Sequence, residues 1–582
     1  MSSASLTWHD GGLYRDGEPH RILSGAVHYF RIHPDQWEDR LHRLAAMGAN
    51  TVDTYVAWNF HERTEGEYDF SGWRDVARFI RIAGEVGLDV FVRPSPYICA
   101  EWSNGGIPFW LSGRVRALRT SDAGFLAAVD AWYDALIPQL EPLQSVHGGP
   151  IRLIQVENEY GSYGSDAGYL AHLRDGLRGR GMVEMLTTAD GTTADMVRNG
   201  SVPGAMGTFT FGTGVQDAVR LRSDDHHLMC SELWGGWFDH WGEQHHVRSA
   251  QSMIGTVREL LDAGGSVSMY MAHGGTNFGL WAGANHDGAR LQPTVTSYDS
   301  DAPIGEDGSL NDKFHALRAA FAPFHAGELP PVPDAPQHQL AASAPLTPTA
   351  SLLEVVRAQP VLATAAQPLS YEELGMEDGL VAYESDVVFE AGAMLTLLEL
   401  RDRATVFLDD VRLGTIEHDG EQGLPLPAGG GAGRLTIVVE SLGRINYGTL
   451  TGEHKEILRG VLIGRRQQHG WEHRMLPHDE VPGAGGDAPA GSDGVATASV
   501  TVSRPLDAWI ALPGSAKGLV WLNGFLLGRY WERGPQVTLY APGPLWREGE
   551  NEIVVLDTDR LGTTVELREH PDFGPSEEFI GS

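Results

Sequence analysis

The stretch IRLIQVENEY, residues 151–160, joins a short apolar run directly to an Asn-Glu pair. Such a run is typical of a strand buried in a parallel sheet. In a (β/α)₈ barrel, the residues that follow the strands build the active site. Seven further runs of this kind occur in the first 330 residues, so eight strands are predicted. They are 22–29, 51–58, 88–94, 151–156, 185–188, 207–211, 228–233 and 266–272.

Helix-like segments lie between these runs, with apolar residues three and four positions apart. Four of them are 35–47, 73–86, 123–143 and 246–263. Eight strands that alternate with helices favour a (β/α)₈ TIM barrel. A doubly wound sheet is the alternative, but the first strand is not followed by Gly-x-Gly-x-x-Gly and the sequence contains no Walker lysine.

The composition changes after residue 325. Residues 329–333, LPPVP, are typical of a connector, and short alternating strands dominate beyond them. The segment VFLDDVRLG at 406–414 is echoed by VWLNGFLLG at 520–528, and Asp-Asp and Asn-Gly at their centres indicate hairpin turns. We therefore predict a barrel over 1–330, a connector over 331–370 and two all-β sandwiches over 371–480 and 481–582, divided near the glycine-rich stretch 481–494.

Composition excludes several classes of protein. The 582 residues carry 43 Lys and Arg against 77 Asp and Glu, a net charge of −34, which argues against nucleic-acid and anionic-membrane partners. Cys99 and Cys230 are the only cysteines, so a disulfide framework is excluded. Neither a secretory signal nor a membrane span is visible in the sequence, and a cytoplasmic enzyme is the default expectation. The sequence does not determine the oligomeric state, and a homo-oligomer is possible.

Polar and aromatic residues cluster after the predicted strands, as in a saccharide pocket, where aromatic rings stack on the sugar and fixed polar groups bind its hydroxyls. Cleaving a glycosidic bond needs two carboxyl groups on opposite sides of it. Glu159 follows the fourth strand and Glu232 ends the seventh, across the barrel mouth. Glu157 and Glu159 are two residues apart on a strand and are expected to share one face, so strand periodicity leaves open which of them is catalytic.

The sequence resembles glycoside hydrolase family 35, the acid β-galactosidase family, over nearly its whole length. The matching segments are TYVAWNFHE at 54–62, RPSPYICAEW at 93–102, IQVENEYGSY at 154–163, SELWGGW at 231–237, HGGTNFG at 273–279, LGRINYG at 442–448, and NG at 523–524 with LGRYW at 527–531. The resemblance implies that Glu159 is the acid/base and Glu232 the nucleophile of a metal-independent retaining enzyme that needs no cofactor. It also fits jelly-roll, galactose-binding-like sandwiches in the second half, although whether they bind sugar is left open.

The same resemblance implies a set of substrate-binding residues for a terminal β-galactose. They are Tyr55, Ala100 through its backbone, Glu101, Asn158, Trp237, Tyr270 and Tyr298. One departure is visible in TSYDSDAP at 296–303, where Ser300 stands in place of a tyrosine that is common in the family. Tyr298 or a water molecule could fill the gap, or the pocket could favour a modified or larger sugar.

Other interpretations are weaker. The histidines at 226, 227, 240, 245 and 246 lack zinc-type spacing, so we expect no metal, and Cys99 is better explained as a small residue at a strand end than as a nucleophile. A Gly-x-Ser-x-Gly elbow is absent from the sequence. Two rivals remain: a barrel glycosidase for another β-sugar, such as a glucosaminide or glucuronide, and a carbohydrate-binding protein that has lost catalysis. Aryl glycosides of several sugars would separate them.

Overall fold

The computed structural model describes residues 6–325, 327–476, 481–482 and 491–581. Eight parallel strands close into a barrel in the order 7-8-1-2-3-4-5-6, which confirms the predicted fold. The barrel strands are Leu23–Ala26, Thr51–Tyr55, Asp89–Arg93, Ile151–Asn158, Met185–Gly191, Met206–Phe211, Met229–Trp234 and Ser266–Tyr270. All eight coincide with predicted runs, because strands buried on both faces are continuous apolar stretches.

Eight helices surround the barrel, one after each strand. They are Trp37–Ala46, Val76–Val86, Ala123–Leu140, Ala167–Gly179, Ala194–Gly200, Val215–Leu221, Ala250–Asp262 and Asp312–Phe321. Side chains of Asp75, Asp122, Asp166, Ser249 and Asn311 cap their N-termini by accepting backbone N–H groups. The caps Asp75 and Ser249 explain why the second and last of the four predicted helices start later than their apolar pattern suggests.

The second half of the chain forms two pairs of antiparallel sheets. In the first pair, a six-stranded sheet contains Ala363–Ala365, Trp471–Leu476, Leu380–Phe389, Gly431–Glu440, Arg403–Leu408 and Val411–Glu417. The facing four-stranded sheet contains Gly423–Pro425, Met394–Leu397, Val461–Ile463 and Arg466–Gln467. Their apolar faces pack into one core that includes Val406, Ile437 and Trp471.

In the second pair, a five-stranded sheet contains Thr347–Ala350, Gly494–Val502, Gly549–Asp557, Lys517–Leu522 and Phe525–Trp531. The four-stranded sheet contains Ala342–Pro345, Thr564–Arg568, Ala508–Ala511 and Thr538–Ala541. Two of these strands, and the helix Leu352–Ala358, lie inside the segment 331–370 that the sequence predicts as a connector. The predicted division near 481–494 lies partly outside the described residues.

The two echoed segments have the same local structure. Arg403–Leu408 pairs with Val411–Glu417, Lys517–Leu522 pairs with Phe525–Trp531, and each hairpin has a register shift opposite a glycine, Gly414 or Gly528. Asp409 and Asn523 occupy the left-handed region that two-residue hairpin turns require. The predicted hairpins are therefore confirmed.

Two further findings concern the described part of the chain alone. Its helices include none that is long and apolar enough to cross a membrane. Across those same residues, His, Cys, Asp and Glu side chains form no group of three or more arranged to hold a metal ion. His245 and His246 instead contact Asp239, at 2.7 and 3.1 Å.

Candidate active site

A cavity of about 250 Å³ opens at the carboxyl ends of the barrel strands. Its volume is near the lower bound of small-molecule sites, about 300 Å³, and suits a single sugar ring. The lining residues are Ile98, Cys99, Ala100, Glu101, Asn158, Glu159, Glu232, Trp234, Gly236, Trp237, Phe238, Tyr270, Met271, Asn285, Tyr298, Ser300 and Tyr447. Eight of the nine residues predicted from the sequence are in this wall, and the ninth, Tyr55, lies directly behind it.

Glu232 is held at the cavity floor by two donors. The seventh strand shifts register between Cys230 and Glu232, a bulge that turns the Glu232 side chain toward the cavity. Arg93 Nη1 donates to Glu232 Oε1 at 2.8 Å, and the Tyr55 hydroxyl donates to the same oxygen. The same hydroxyl lies 2.7 Å from Asn158 Oδ1, an acceptor, and it accepts a hydrogen bond from Arg93 Nη1 at 2.9 Å. These two donors favour the ionised form of Glu232, which its burial opposes.

Arg93 is itself fixed before any ligand binds. Its guanidinium is fully buried and makes two hydrogen bonds to Asp53, with Nε to Oδ1 at 2.8 Å. It also donates to Gln155 Oε1 at 2.9 Å. A two-point carboxylate contact sets the plane of a guanidinium, so Arg93 presents Nη1 to Glu232 in one orientation.

Glu159 and Glu157 lie in different environments, and the expectation that they share a face is wrong. The fourth strand ends at Asn158 after a register shift, and Glu159 adopts a left-handed conformation with φ of 47°. This turn brings Glu159 into the cavity wall, where Thr210 Oγ1 donates to Glu159 Oε1 at 2.9 Å. Glu157 is buried against Arg119 at 2.8 Å, away from the cavity. Of these two residues, Glu159 is therefore the one that lines the cavity.

The two cavity carboxyls have raised pKa values for related reasons. Burial raises the pKa of Glu232 to about 7; Arg93 opposes the rise and Glu159 adds to it. Burial also raises the pKa of Glu159, the Thr210 hydrogen bond lowers it, and Glu101 raises it. Arg93 puts a full positive charge on Glu232, whereas Thr210 gives Glu159 only a neutral hydroxyl. The pair can therefore hold a proton near neutral pH, and the ion pair with Arg93 favours the ionised form of Glu232.

The deep end of the cavity is polar. Cys99, Ala100 and Glu101 are three successive residues in the left-handed region, and this turn points Glu101 inward. The Tyr298 hydroxyl donates to Glu101 Oε2 and lies 3.1 Å from the Tyr270 hydroxyl. Burial raises the pKa of Glu101, while the Tyr298 hydrogen bond and the Arg31 charge lower it.

Arg31 supports this end from behind. Its guanidinium carbon stacks 3.7 Å from the centre of the Tyr298 ring, and its Nη2 donates to the Ala100 carbonyl. The Ala100 backbone thus reaches the wall as predicted, but its carbonyl oxygen is already engaged by Arg31.

The first sandwich completes the wall, which the sequence reasoning missed. Asn446 Nδ2 lies 3.5 Å from Glu101 Oε1, and its backbone oxygen accepts the Tyr97 hydroxyl at 2.6 Å. The next residue, Tyr447, lines the cavity with 44% of its surface exposed. Arg93 was missed as well, although a charged residue that ends an apolar strand run is a signal that could have identified it.

Ser300 lines the cavity beside Trp237 and Phe238, so the departure from the family motif falls in the wall itself. Its backbone crowds Gly236, and a side chain at that glycine would collide with the Ser300 carbonyl. The Tyr298 hydroxyl is engaged by Glu101 and Tyr270. Ser300 therefore gives this part of the cavity wall a small polar side chain, where the tyrosine that is common in the family would place a bulky ring.

A TIM barrel that places two carboxyls, from its fourth and seventh strands, in a single-ring cavity walled by aromatic side chains has the features of a glycoside hydrolase. The sequence model of the glycosyl hydrolases family 35 matches residues 12–324, and the chain belongs to this family. The models "Beta-galactosidase, first all-beta domain" and "Beta-galactosidase, galactose-binding domain" match residues 368–477 and 495–551.

Curated relatives align along most of their length. The chain is 37% identical to mouse beta-galactosidase-1-like protein 3, covering 96% of this chain and 88% of the relative. It is 37% identical to the beta-galactosidase of Xanthomonas manihotis, covering 90% and 89%. It is 36% identical to human beta-galactosidase, covering 94% and 86%.

Proposed function

We propose that the enzyme is a retaining exo-β-galactosidase that releases terminal β-D-galactose by double displacement. The observation that carries the proposal is the unequal support of the two cavity carboxyls. Glu232 faces Arg93 and Tyr55, as suits an anionic nucleophile, and Glu159 faces Thr210, as suits a proton donor. The names of the relatives support galactose as the sugar.

The first step follows from this arrangement. The Glu232 carboxylate attacks C1 of the galactose and forms a glycosyl ester, while the bond from C1 to the glycosidic oxygen breaks. Glu159 gives its proton to that oxygen, so the aglycone leaves as a neutral alcohol. In the second step Glu159, now ionised, takes a proton from water. The resulting oxygen attacks C1, and the ester bond to Glu232 breaks.

Turnover of a panel of aryl glycosides tests the proposal. We expect the β-galactoside to be hydrolysed at least tenfold faster than the β-glucoside, β-glucosaminide or β-glucuronide. Proton NMR of the earliest product should show the β anomer of galactose. Preference for another sugar would establish a different barrel glycosidase, and turnover of none would establish a binding protein without catalysis. An α anomer would exclude retention.

Galactose differs from glucose in its axial O4, and we assign recognition of O4 to Glu101. An ionised carboxylate accepts from two adjacent hydroxyls at once. Glu101→Gln is expected to lower kcat/KM by roughly 10²-fold, about 2.7 kcal/mol of transition-state binding. The loss should be much smaller on a 4-deoxygalactoside, which has already lost part of the contact.

A matched control is available for this variant. Glu306 is as buried as Glu101 but lies outside the cavity wall, and burial raises its pKa to about 8. Glu306→Gln therefore replaces a largely neutral carboxyl by a neutral amide and should keep normal activity. Near-normal activity of Glu101→Gln, or equal losses on both substrates, would remove Glu101 from the recognition of O4.

The activity should depend on pH through the pair Glu159 and Glu232. Above the upper pKa of the pair both carboxyls are ionised and Glu159 has no proton to donate; below the lower pKa both are protonated and Glu232 cannot attack. Because burial raises the pKa values of both carboxyls, both limbs of the kcat/KM profile for a disaccharide should lie above the pH range in which free carboxyls titrate. A pH profile of kcat/KM measures this, and a rate that is flat up to pH 9 would contradict it.

A further inference from the structure

The aromatic mouth of the cavity is supported by residues 576–581, which are remote from it in sequence. The strand Ser576–Glu578 pairs in parallel with His245–Val247, which follows the seventh barrel strand. The His245 N–H donates to the Pro575 carbonyl at 2.9 Å, and the Phe579 N–H donates to the Val247 carbonyl at 2.8 Å. The segment is thus attached to the barrel by backbone hydrogen bonds at both ends of the strand.

Beyond the strand, the segment packs on the cavity wall from behind. The Phe579 ring centre lies 5.3 Å from that of Trp237 and 4.8 Å from that of His246. Gly581 lies so close to Trp237 that a side chain there would collide with the indole, and its carbonyl abuts Gly212, which follows the sixth strand. Trp237, which stands between this segment and the cavity, is therefore held by it.

Trp237 lies at the end of the cavity where an aglycone would leave. Glu101 and Tyr298 at the deep end are buried, whereas Trp237 is half-buried and Tyr447 is exposed. A galactose with its hydroxyls toward Glu101 and its C1 between the two carboxyls directs its aglycone past these outer rings. This step rests on the proposed function.

We propose that residues 576–581 are a positioning segment for Trp237 and thereby determine selectivity for the aglycone, favouring a second sugar ring stacked on the indole. A pyranose has an apolar face that gains from a flat aromatic partner only when the partner is held at a fixed angle. Phe579 and Gly581 fix that angle, and they do so without contacting the substrate.

Phe579→Ala tests the proposal on two substrates that share the galactose. On a β-galactosyl disaccharide, KM should rise about tenfold, because a freed Trp237 loses its stacking geometry. On β-galactosyl fluoride, whose leaving group is a single atom, kcat/KM should stay within twofold of the unaltered enzyme. Phe324→Ala is the matched control, since Phe324 lies outside the cavity wall and is exposed to a similar extent. Its exposed fraction is 44%, and that of Phe579 is 37%.

Removal of residues 576–582 is the second variant and should give the same pattern with a larger effect. Equal losses on both substrates would mean that the segment supports the barrel as a whole, and unchanged kinetics on both would mean that it does not position Trp237. Either result overturns the proposal. If the unaltered enzyme hydrolyses neither the disaccharide nor the fluoride, the proposed galactosidase function is wrong. The fluoride assay of the unaltered enzyme therefore tests that function separately from the variants.

Discussion

Glu232→Gly is expected to lower the hydrolysis of every β-galactoside by roughly 10⁴-fold or more, because the attacking oxygen is lost. The fold should persist. Arg93 is left with a buried charge, but Asp53 still accepts two hydrogen bonds from its guanidinium. The far-ultraviolet circular dichroism spectrum and the melting temperature check this point separately from activity.

Azide should restore part of this activity, and its product reports which carboxyl was removed. In Glu232→Gly the anion fills the space beside Arg93 and attacks C1 from the face that Glu232 vacated, so an activated aryl galactoside should yield α-galactosyl azide. In Glu159→Gly the covalent intermediate still forms, and azide should attack its opposite face to give the β product. If NMR shows the two anomers exchanged, the two assignments are reversed.

The sequence contained enough information for the barrel, because its strands are buried on both faces and are apolar throughout. The hairpins at 409–410 and 523–524 were equally visible, since Asp-Asp and Asn-Gly tolerate the left-handed turn. The strands Ala342–Pro345 and Thr347–Ala350 escaped detection. They are edge strands that contain Pro345 and Pro348, and proline, which cannot donate a backbone hydrogen bond, is typical of loops as well as of edges.

Site residues could be predicted from the sequence where their place at the end of a regular strand brings them to the cavity. They could not be predicted where an irregularity of the backbone does so. Asn158 and Tyr270 end their strands and face the cavity as expected. The choice between Glu157 and Glu159 depends on a register shift and a left-handed residue, which alternation cannot reveal. Asn446 contacts Glu101 across 345 residues of sequence, and such a contact depends on how the first sandwich docks.

Glu159→Ala should lose activity according to the leaving group of the substrate. Lactose releases a poor leaving group that needs a proton, and general acid catalysis contributes about 10² to 10⁴-fold, so kcat/KM for lactose should fall roughly 10³-fold. An aryl galactoside with a strongly acidic phenol leaves without assistance, and its kcat/KM should fall less than about tenfold. The second step still lacks its base, so stopped-flow measurements should show a burst of phenol followed by slow turnover.

Glu157→Gln separates this chemical effect from a structural one. Glu157 lies two residues away and is buried against Arg119 at 2.8 Å, so its loss leaves an uncompensated charge and should lower the free energy of unfolding by about 3 kcal/mol. Any loss of activity should then be the same for lactose and for the aryl substrate, because proton donation is intact. If Glu159→Ala loses equally on both substrates while Glu157→Gln discriminates between them, the proton donor is Glu157, and the left-handed turn at 159 does not serve to present the acid.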